Sequence, residues 1–129
     1  MHHSRLAAYV LDCKVEDLDA ATEFWSRALG RPINPPQADS PSYRDLKTDD
    51  GEPMLLVQKV EHPSRVHLDI ETDDIEAEVK RLEALGAKRV QFVTRWWVME
   101  APTGQRFCVV RPQRGPLAGR ANVWGDEGA

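Results

Sequence analysis

An α+β fold made of two related strand-helix-strand-strand units is what this sequence predicts, and three observations predict it. The first is a repeat. Val10-Leu11-Asp12-Cys13 leads through Asp17-Leu18 into a helical stretch ending Leu29-Gly30, and His67-Leu68-Asp69-Ile70 leads through Asp74-Ile75 into one ending Leu85-Gly86. At a spacing of 57, Leu11/Leu68, Asp12/Asp69, Asp17/Asp74 and Ala20/Ala77 are identical, and the Leu-Gly endings match at 56. The second is the order of periods, an apolar strand-like run followed by a helical stripe and then short apolar runs, in both halves. The third is length: 129 residues make one domain, which buries about two-thirds of its unfolded surface. Self-similarity of this kind marks a duplicated supersecondary unit. Two units that each bury one face must pack together, and their seam is a natural ligand site.

The elements follow in order. Leu6 to Val15 reads as a buried strand with Asp12 and Lys14 on one alternating face. Asp17 or Glu16 opens a helix, placing acid at its positive end. Leu18, Ala21, Phe24, Trp25, Ala28 and Leu29 form its apolar stripe, with Phe24 and Trp25 read as core packing. Gly30 ends the helix and Pro32 prevents its resumption. Pro32, Pro35, Pro36 and Pro41 stiffen the loop that follows, and a short extra strand is expected near Ile33. Tyr43 to Thr48 and Met54 to Val60 are strands around the Asp49-Asp50-Gly51 turn.

The second unit starts with a strand from Arg65 to Glu71, and Thr72 is the expected cap of a helix reaching Leu85. Ile75, Val79, Leu82 and Leu85 supply its stripe, while Glu76, Glu78, Lys80, Arg81 and Glu83 are assigned to the solvent side. Lys88 to Val93, Trp96 to Ala101 and Arg106 to Arg111 are the last three strands. Residues 112–129 lose periodicity and read as a surface tail anchored by Leu117, Val123 and Trp124. His2-His3 read equally as native or as a cloning remnant and are left out of the element assignment.

Bulk properties exclude several functions. A net charge of −4 argues against a nucleic-acid partner, which needs a concentrated basic face. No apolar run approaches membrane-spanning length, so no membrane partner is expected. Cys13 and Cys108 both lie in apolar strand patterns and read as free, buried and reduced. With no secretion signal at the N-terminus, the expected location is the cytoplasm.

Several segments are shared with a known family. They are Asp12-Cys13, Phe24-Trp25 before Leu29-Gly30, and Arg65-Val66-His67-Leu68-Asp69-Ile70, then Leu82-Glu83-Ala84-Leu85-Gly86-Ala87 and Ala101-Pro102-Thr103-Gly104-Gln105-Arg106-Phe107-Cys108. Together they resemble the glyoxalase-like branch of the vicinal oxygen chelate superfamily, which also holds glyoxalase I, bleomycin-resistance proteins and extradiol dioxygenases. The resemblance covers about residues 6–111. It implies two βαβββ modules, about 6–61 and 65–111, whose sheets curl into a half-open barrel with helices on the convex face. It also implies a homodimer.

Metal-dependent members of that superfamily hold a divalent ion through side chains on the first and last strands of each module. Carried over residue by residue, those positions fall on Val10, Gln58, His67 and Cys108. Valine cannot coordinate, Gln58 is a weak ligand, and Cys108 in an apolar strand stays a neutral thiol. Asp12, Asp69 and Glu71 share strand faces with these positions, so a shifted set of His67, Asp12, Asp69 and Gln58 is the route by which a metal could return. A functional divalent metal is the disfavoured expectation, and no other cofactor is expected.

The expected ligand-binding residues are therefore Val10, Gln58, Cys108 and whichever of Trp96 and Trp97 faces the cavity. Arg44, Arg95 and Arg106 are candidates to hold an anionic group at its rim. The expected catalytic residues, if there is chemistry, are His67, Asp69 and Asp12, since neighbouring buried carboxylates raise one pKa toward a useful value. The plainer readings are that His67 is a polar residue satisfied by Asp12 or Asp69, that the aspartates brace the two units, and that both tryptophans are core or dimer contacts. Two functional classes follow. One is a protein that binds or sequesters a small molecule, aromatic or otherwise; the other is a lyase or isomerase of a small carbonyl compound using His67 with Asp69 or Asp12. Loss of ligand positions favours the first, because glyoxalase I chemistry needs an ion to stabilise an enediolate.

Overall fold

The computed structural model describes residues 1–125. In chain order the elements are β1 (His2–Cys13), α1 (Leu18–Leu29), β2 (Tyr43–Leu46), β3 (Met54–Lys59), β4 (Arg65–Thr72), α2 (Ile75–Ala84), β5 (Lys88–Val93), β6 (Trp96–Glu100), β7 (Arg106–Val110) and β8 (Asn122–Trp124). The chain divides into two compact units, Ala8–His67 and a second formed by Met1–Ala7 with the chain from Leu68 onward.

In the first unit the later part of β1 runs parallel to β3, and β3 runs antiparallel to β2. Parallel pairing needs a crossover, and α1 with the proline-rich loop supplies it. Ile33 makes an isolated bridge to Leu46, where a short extra strand is expected. Asp17 caps α1 by accepting from the Ala20 N–H at 3.1 Å. Gly30 closes it at φ 67°, a left-handed conformation that favours glycine. Cys13, Leu18, Leu46 and Val57 form the core, joined by Leu11, Trp25 and Leu55. Strand alternation then puts Val10, Asp12, Leu56 and Gln58 on the opposite face of the sheet from α1. Phe24 departs from expectation. It is 62% exposed and meets Trp25 edge-on, whereas Thr22 takes the buried position by donating its hydroxyl to the Leu18 carbonyl.

The second unit repeats this plan. β4 runs parallel to β7, and β7, β6 and β5 pair antiparallel in turn. Its cap is Asp74, not Thr72: Asp74 accepts from the Ala77 N–H at 3.0 Å. The Thr72 hydroxyl donates instead to the His3 carbonyl at 2.7 Å, a partner that local sequence does not reveal. Val79, Leu82, Met99 and Val109 form the core with Ile70, Trp97 and Phe107 around them. Leu85 is exposed because it is the C-cap rather than part of the stripe.

Glu78 is also corrected. It is fully buried on α2, bonded twice by the Arg81 guanidinium at 2.8 Å and by His2 Nε2 at 2.8 Å. Burial pushes its carboxyl up, but Arg81, His2 and Ser4 outweigh that and hold it below the usual glutamate value. The same contacts explain why β1 begins at His2 rather than Leu6. His2, His3 and Ser4 pair with Trp124, Val123 and Asn122 of β8, and Trp124 Nε1 donates to Ser4 Oγ at 2.8 Å. The tail is thus tied down by Trp124, over which Arg81 stacks at 3.9 Å, and by buried Leu117, while Val123 is exposed. Residues 126–129 of the expected tail lie outside the described residues.

A second buried carboxylate organises the segment after β7. Glu71 accepts from Arg5 Nε at 2.9 Å, Arg114 Nε at 3.0 Å and the Gln113 N–H at 2.7 Å. Burial raises its pKa, and these donors more than reverse the effect.

Candidate functional site

The strongest polar constellation lies on the first unit, where the last residues of β1 meet the first residues of β4. The Asp12 side chain is 2% exposed, and its Oδ2 accepts a hydrogen bond from His67 Nδ1 at 2.8 Å. A carboxylate only accepts, so Nδ1 carries the hydrogen and the basic lone pair of the neutral imidazole belongs to Nε2. The partnership answers the cost of burying Asp12, and it fixes both the ring plane and the tautomer of His67. Two more basic groups approach the same oxygen: His62 Nε2 and Arg65 Nε each stand 3.7 Å from Asp12 Oδ2. Arg65 and His67 are two apart on β4 and so share a face. Asp12 Oδ1 is buried and has no hydrogen-bond partner among the described residues.

Strand register adds neighbours that sequence alone does not show. Asp12 pairs with Gln58, and Gln58 with Tyr43; Val10 pairs with Leu56, and Leu56 with Asp45. Val10, Gln58, Tyr43 and Asp45 therefore share the face of the sheet that carries Asp12. Burial pushes the Asp45 carboxyl above the usual aspartate range. Tyr43 and Asp45 are missing from the sequence-based set because their alternation becomes meaningful only once β2 is registered on β3.

On the second unit Asp69 pairs with Cys108, and Cys108 with Val98. Trp97 pairs with Val109 in the core against α2, with Phe92 at 5.3 Å and Arg89 at 5.0 Å from its ring. Trp97 therefore does not belong to the face carrying Asp69 and Cys108. Trp96, one residue earlier, does. The rim arginines also need correction: Arg44 bonds Asp19 at 3.1 Å and Arg106 bonds Glu100 at 3.3 Å. The arginine beside the buried aspartate is Arg65, whose place at the start of β4 carries no distinctive sequence signal. Neither Cys13 nor Cys108 is in a disulfide, and burial pushes the Cys13 thiol up.

Residues 8–110 match the glyoxalase-like domain family. The chain belongs to that family. Among solved structures it is similar to a glyoxalase/bleomycin resistance protein/dioxygenase superfamily member from Vibrio splendidus 12B01, with a TM-score of 0.51 and 19% identity over 82% of this chain and 98% of that one. It is also similar to a protein described as NAD-dependent benzaldehyde dehydrogenase from Legionella pneumophila, at TM-score 0.60 and 11% identity over 82% of this chain and 98% of that one. A third is methylmalonyl-CoA epimerase from Mycobacterium tuberculosis, at TM-score 0.53 and 17% identity over 90% and 91% of the two chains. At these identities the likeness is one of fold. A search of curated proteins finds no match to the sequence.

Family membership raises the question of a divalent metal, and the residues present answer it in part. Val10 is fully buried between apolar neighbours and has no donor atom, so the family's four-position set does not fit this chain. Within the second unit Asp69 on β4 is in register with Cys108 on β7, a carboxylate and a thiol of metal-ligating type.

Proposed function

We propose that this glyoxalase-like protein binds a small organic molecule against the face carrying Asp12, His67 and Gln58, without the family's four-donor metal set. The observation that supports this most is the pairing of a buried Asp12 with His67 at 2.8 Å beside a Val10 that cannot coordinate. Small-molecule sites fix their ligand's orientation with a few placed polar groups, and an imidazole held by a buried carboxylate supplies one. A thermal-shift screen of planar carboxylates, phenols and amides tests the proposal. Stabilisation by a compound that no longer acts on His67→Ala supports it, and absence of any stabilising compound overturns it. Elemental analysis should run in parallel: near-stoichiometric metal that disappears in His67→Ala would replace this reading with a metal-dependent one.

A second reading is favoured by the same hydrogen bond. An imidazole oriented by a buried carboxylate is a general base of known efficiency, contributing roughly 10²–10⁴-fold. His67 Nε2 would take the proton next to a substrate carbonyl, the C–H electron pair would pass to the carbonyl oxygen as an enolate, and Asp12 would stabilise the imidazolium. Return of the proton to the other side isomerises the substrate, and loss of a β-leaving group makes the reaction a lyase. Protein-catalysed exchange of α-protons for deuterium in small carbonyl compounds, lost in His67→Ala, would establish it. No exchange with any compound that binds would leave binding alone.

We also place the protein in the cytoplasm as a homodimer, without a nucleic-acid or membrane partner. No helix among the described residues is long and apolar enough to cross a membrane. Exposed Val90 and Phe92 on β5 offer apolar surface to a second copy, and light scattering decides the oligomeric state.

A further inference from the structure

We propose that His62 and Arg65 form an anion-recognising pair beside His67, so that the small molecule bound there carries a carboxylate. The inference rests on the binding reading above and names the class of ligand. Its first support is the convergence of several nitrogen groups on one acid. One buried carboxylate, Asp12, is approached by two imidazoles and a guanidinium, and the guanidinium is always charged. Asp12 is already engaged by His67 at 2.8 Å, whereas His62 and Arg65 stand at 3.7 Å, beyond hydrogen-bond reach. The negative charge of Asp12 is thus directed to His67, and the donors of Arg65 are left over.

The second support is what Arg65 lacks. Arg5, Arg44, Arg81 and Arg89 each hold a carboxylate oxygen at 3.1 Å or less. Arg65 has instead His62 Nε2 at 3.4 Å, and His62 Nδ1 donates to the Pro63 carbonyl at 2.8 Å. That bond sets the His62 tautomer, so neutral His62 turns an acceptor to Arg65, and protonated His62 adds a second cation to the pair. Neither residue bonds a carboxylate within hydrogen-bond distance among the described residues. A planar guanidinium with spare donors matches a carboxylate in a bidentate way.

The third support is the order of exposure. Side-chain exposure falls from 46% at Arg65 and 38% at His62 to 11% at His67 and 2% at Asp12. A ligand arriving from water meets Arg65 and His62 first and the fixed imidazole next, so the anionic end is held at the outer side and the rest lies toward His67.

The test compares phenylacetate with phenylacetamide, which have the same shape and differ in charge. Calorimetry on the full chain should show the carboxylate bound about tenfold or more tightly, as a charge-assisted hydrogen bond provides. Arg65→Gln should reduce that preference to within about twofold, Arg65→Lys should retain part of it, and His62→Gln should weaken it less. Thermal midpoints of the variants establish that these exposed substitutions leave the fold intact. Equal binding of acid and amide, or a preference unchanged in Arg65→Gln, overturns the anion assignment while small-molecule binding stands. Failure of both compounds to bind at millimolar concentration overturns this inference, and failure of the whole thermal-shift screen overturns the reading beneath it.

Discussion

The two units use the same ladder of positions for different ends. At a spacing of 57, Asp17 corresponds to Asp74, Asp12 to Asp69, Val10 to His67 and Lys14 to Glu71. The first pair does the same work twice, each carboxylate capping its own helix at about the same distance. The strand pairs diverge. Asp12 is buried against an imidazole, while Asp69 lies in register with a thiol. Lys14 is exposed and Glu71 is buried among two arginines. Capping depends only on the chain within three residues, so duplication preserves its physics. A strand side chain's surroundings come from other strands and from the tail, so the same ancestral slot can drift to a new role.

The largest break in this comparison is expected at Glu71. Glu71→Ala leaves Arg5 and Arg114 without their shared carboxylate and should cost about 3–5 kcal/mol in chemical denaturation, whereas Lys14→Ala should stay within about 0.5 kcal/mol. Equal costs would mean that the buried network is not what holds the tail segment. The sign of the pH effect follows from the same residues. Glu71 and Glu78 have folded-state pKa values held below the ordinary 4.5, so their contribution is complete above pH 4.5 and is lost as pH falls through the folded values. The thermal midpoint should therefore drop on acidification below 4.5, and Glu71→Gln should flatten that drop. A midpoint insensitive to acid would contradict the arrangement.

Smaller effects sharpen the likeness between the units rather than the difference. Asp17→Ala and Asp74→Ala should each cost about 1 kcal/mol, because each removes one cap of the same kind. A markedly larger loss at either would show that its carboxylate does more than cap. The smallest effect is expected at Phe24, where exposure leaves little apolar area to lose. Phe24→Ser should change stability by no more than about 0.5 kcal/mol, while Val79→Ala in the second core should cost more than 1 kcal/mol.

Which parts of this were legible in the sequence depends on how far apart the interacting groups lie. The helices, their glycine endings and the alternation within each strand all depend on neighbours a few residues away, and they stand where the periodicity places them. Periodicity places Glu78 and Phe24 on the wrong sides of their helices, because a stripe of apolar residues is an average over a face. It does not register that His2 and Arg81 can satisfy a buried glutamate, or that Thr22 can be buried with its hydroxyl on the Leu18 carbonyl. The Asp12–His67 bond is one of several pairings the sequence leaves open, while His62 and Arg65 carry no local signal, lying in a short connection and at a strand end.

The sequence by itself therefore determined the duplicated α+β plan, which follows from local period, and the family, which follows from motifs such as Arg65-Val66-His67-Leu68-Asp69-Ile70. Only the tertiary structure decided that Asp12 bonds His67, that Trp96 rather than Trp97 leaves the core, and that Arg65 is the arginine next to the buried carboxylate. Those outcomes depend on strand register and on side chains brought together across 55 residues or more of chain, as between Asp12 and His67. Contacts at that separation have no signature in the local pattern of a single sequence.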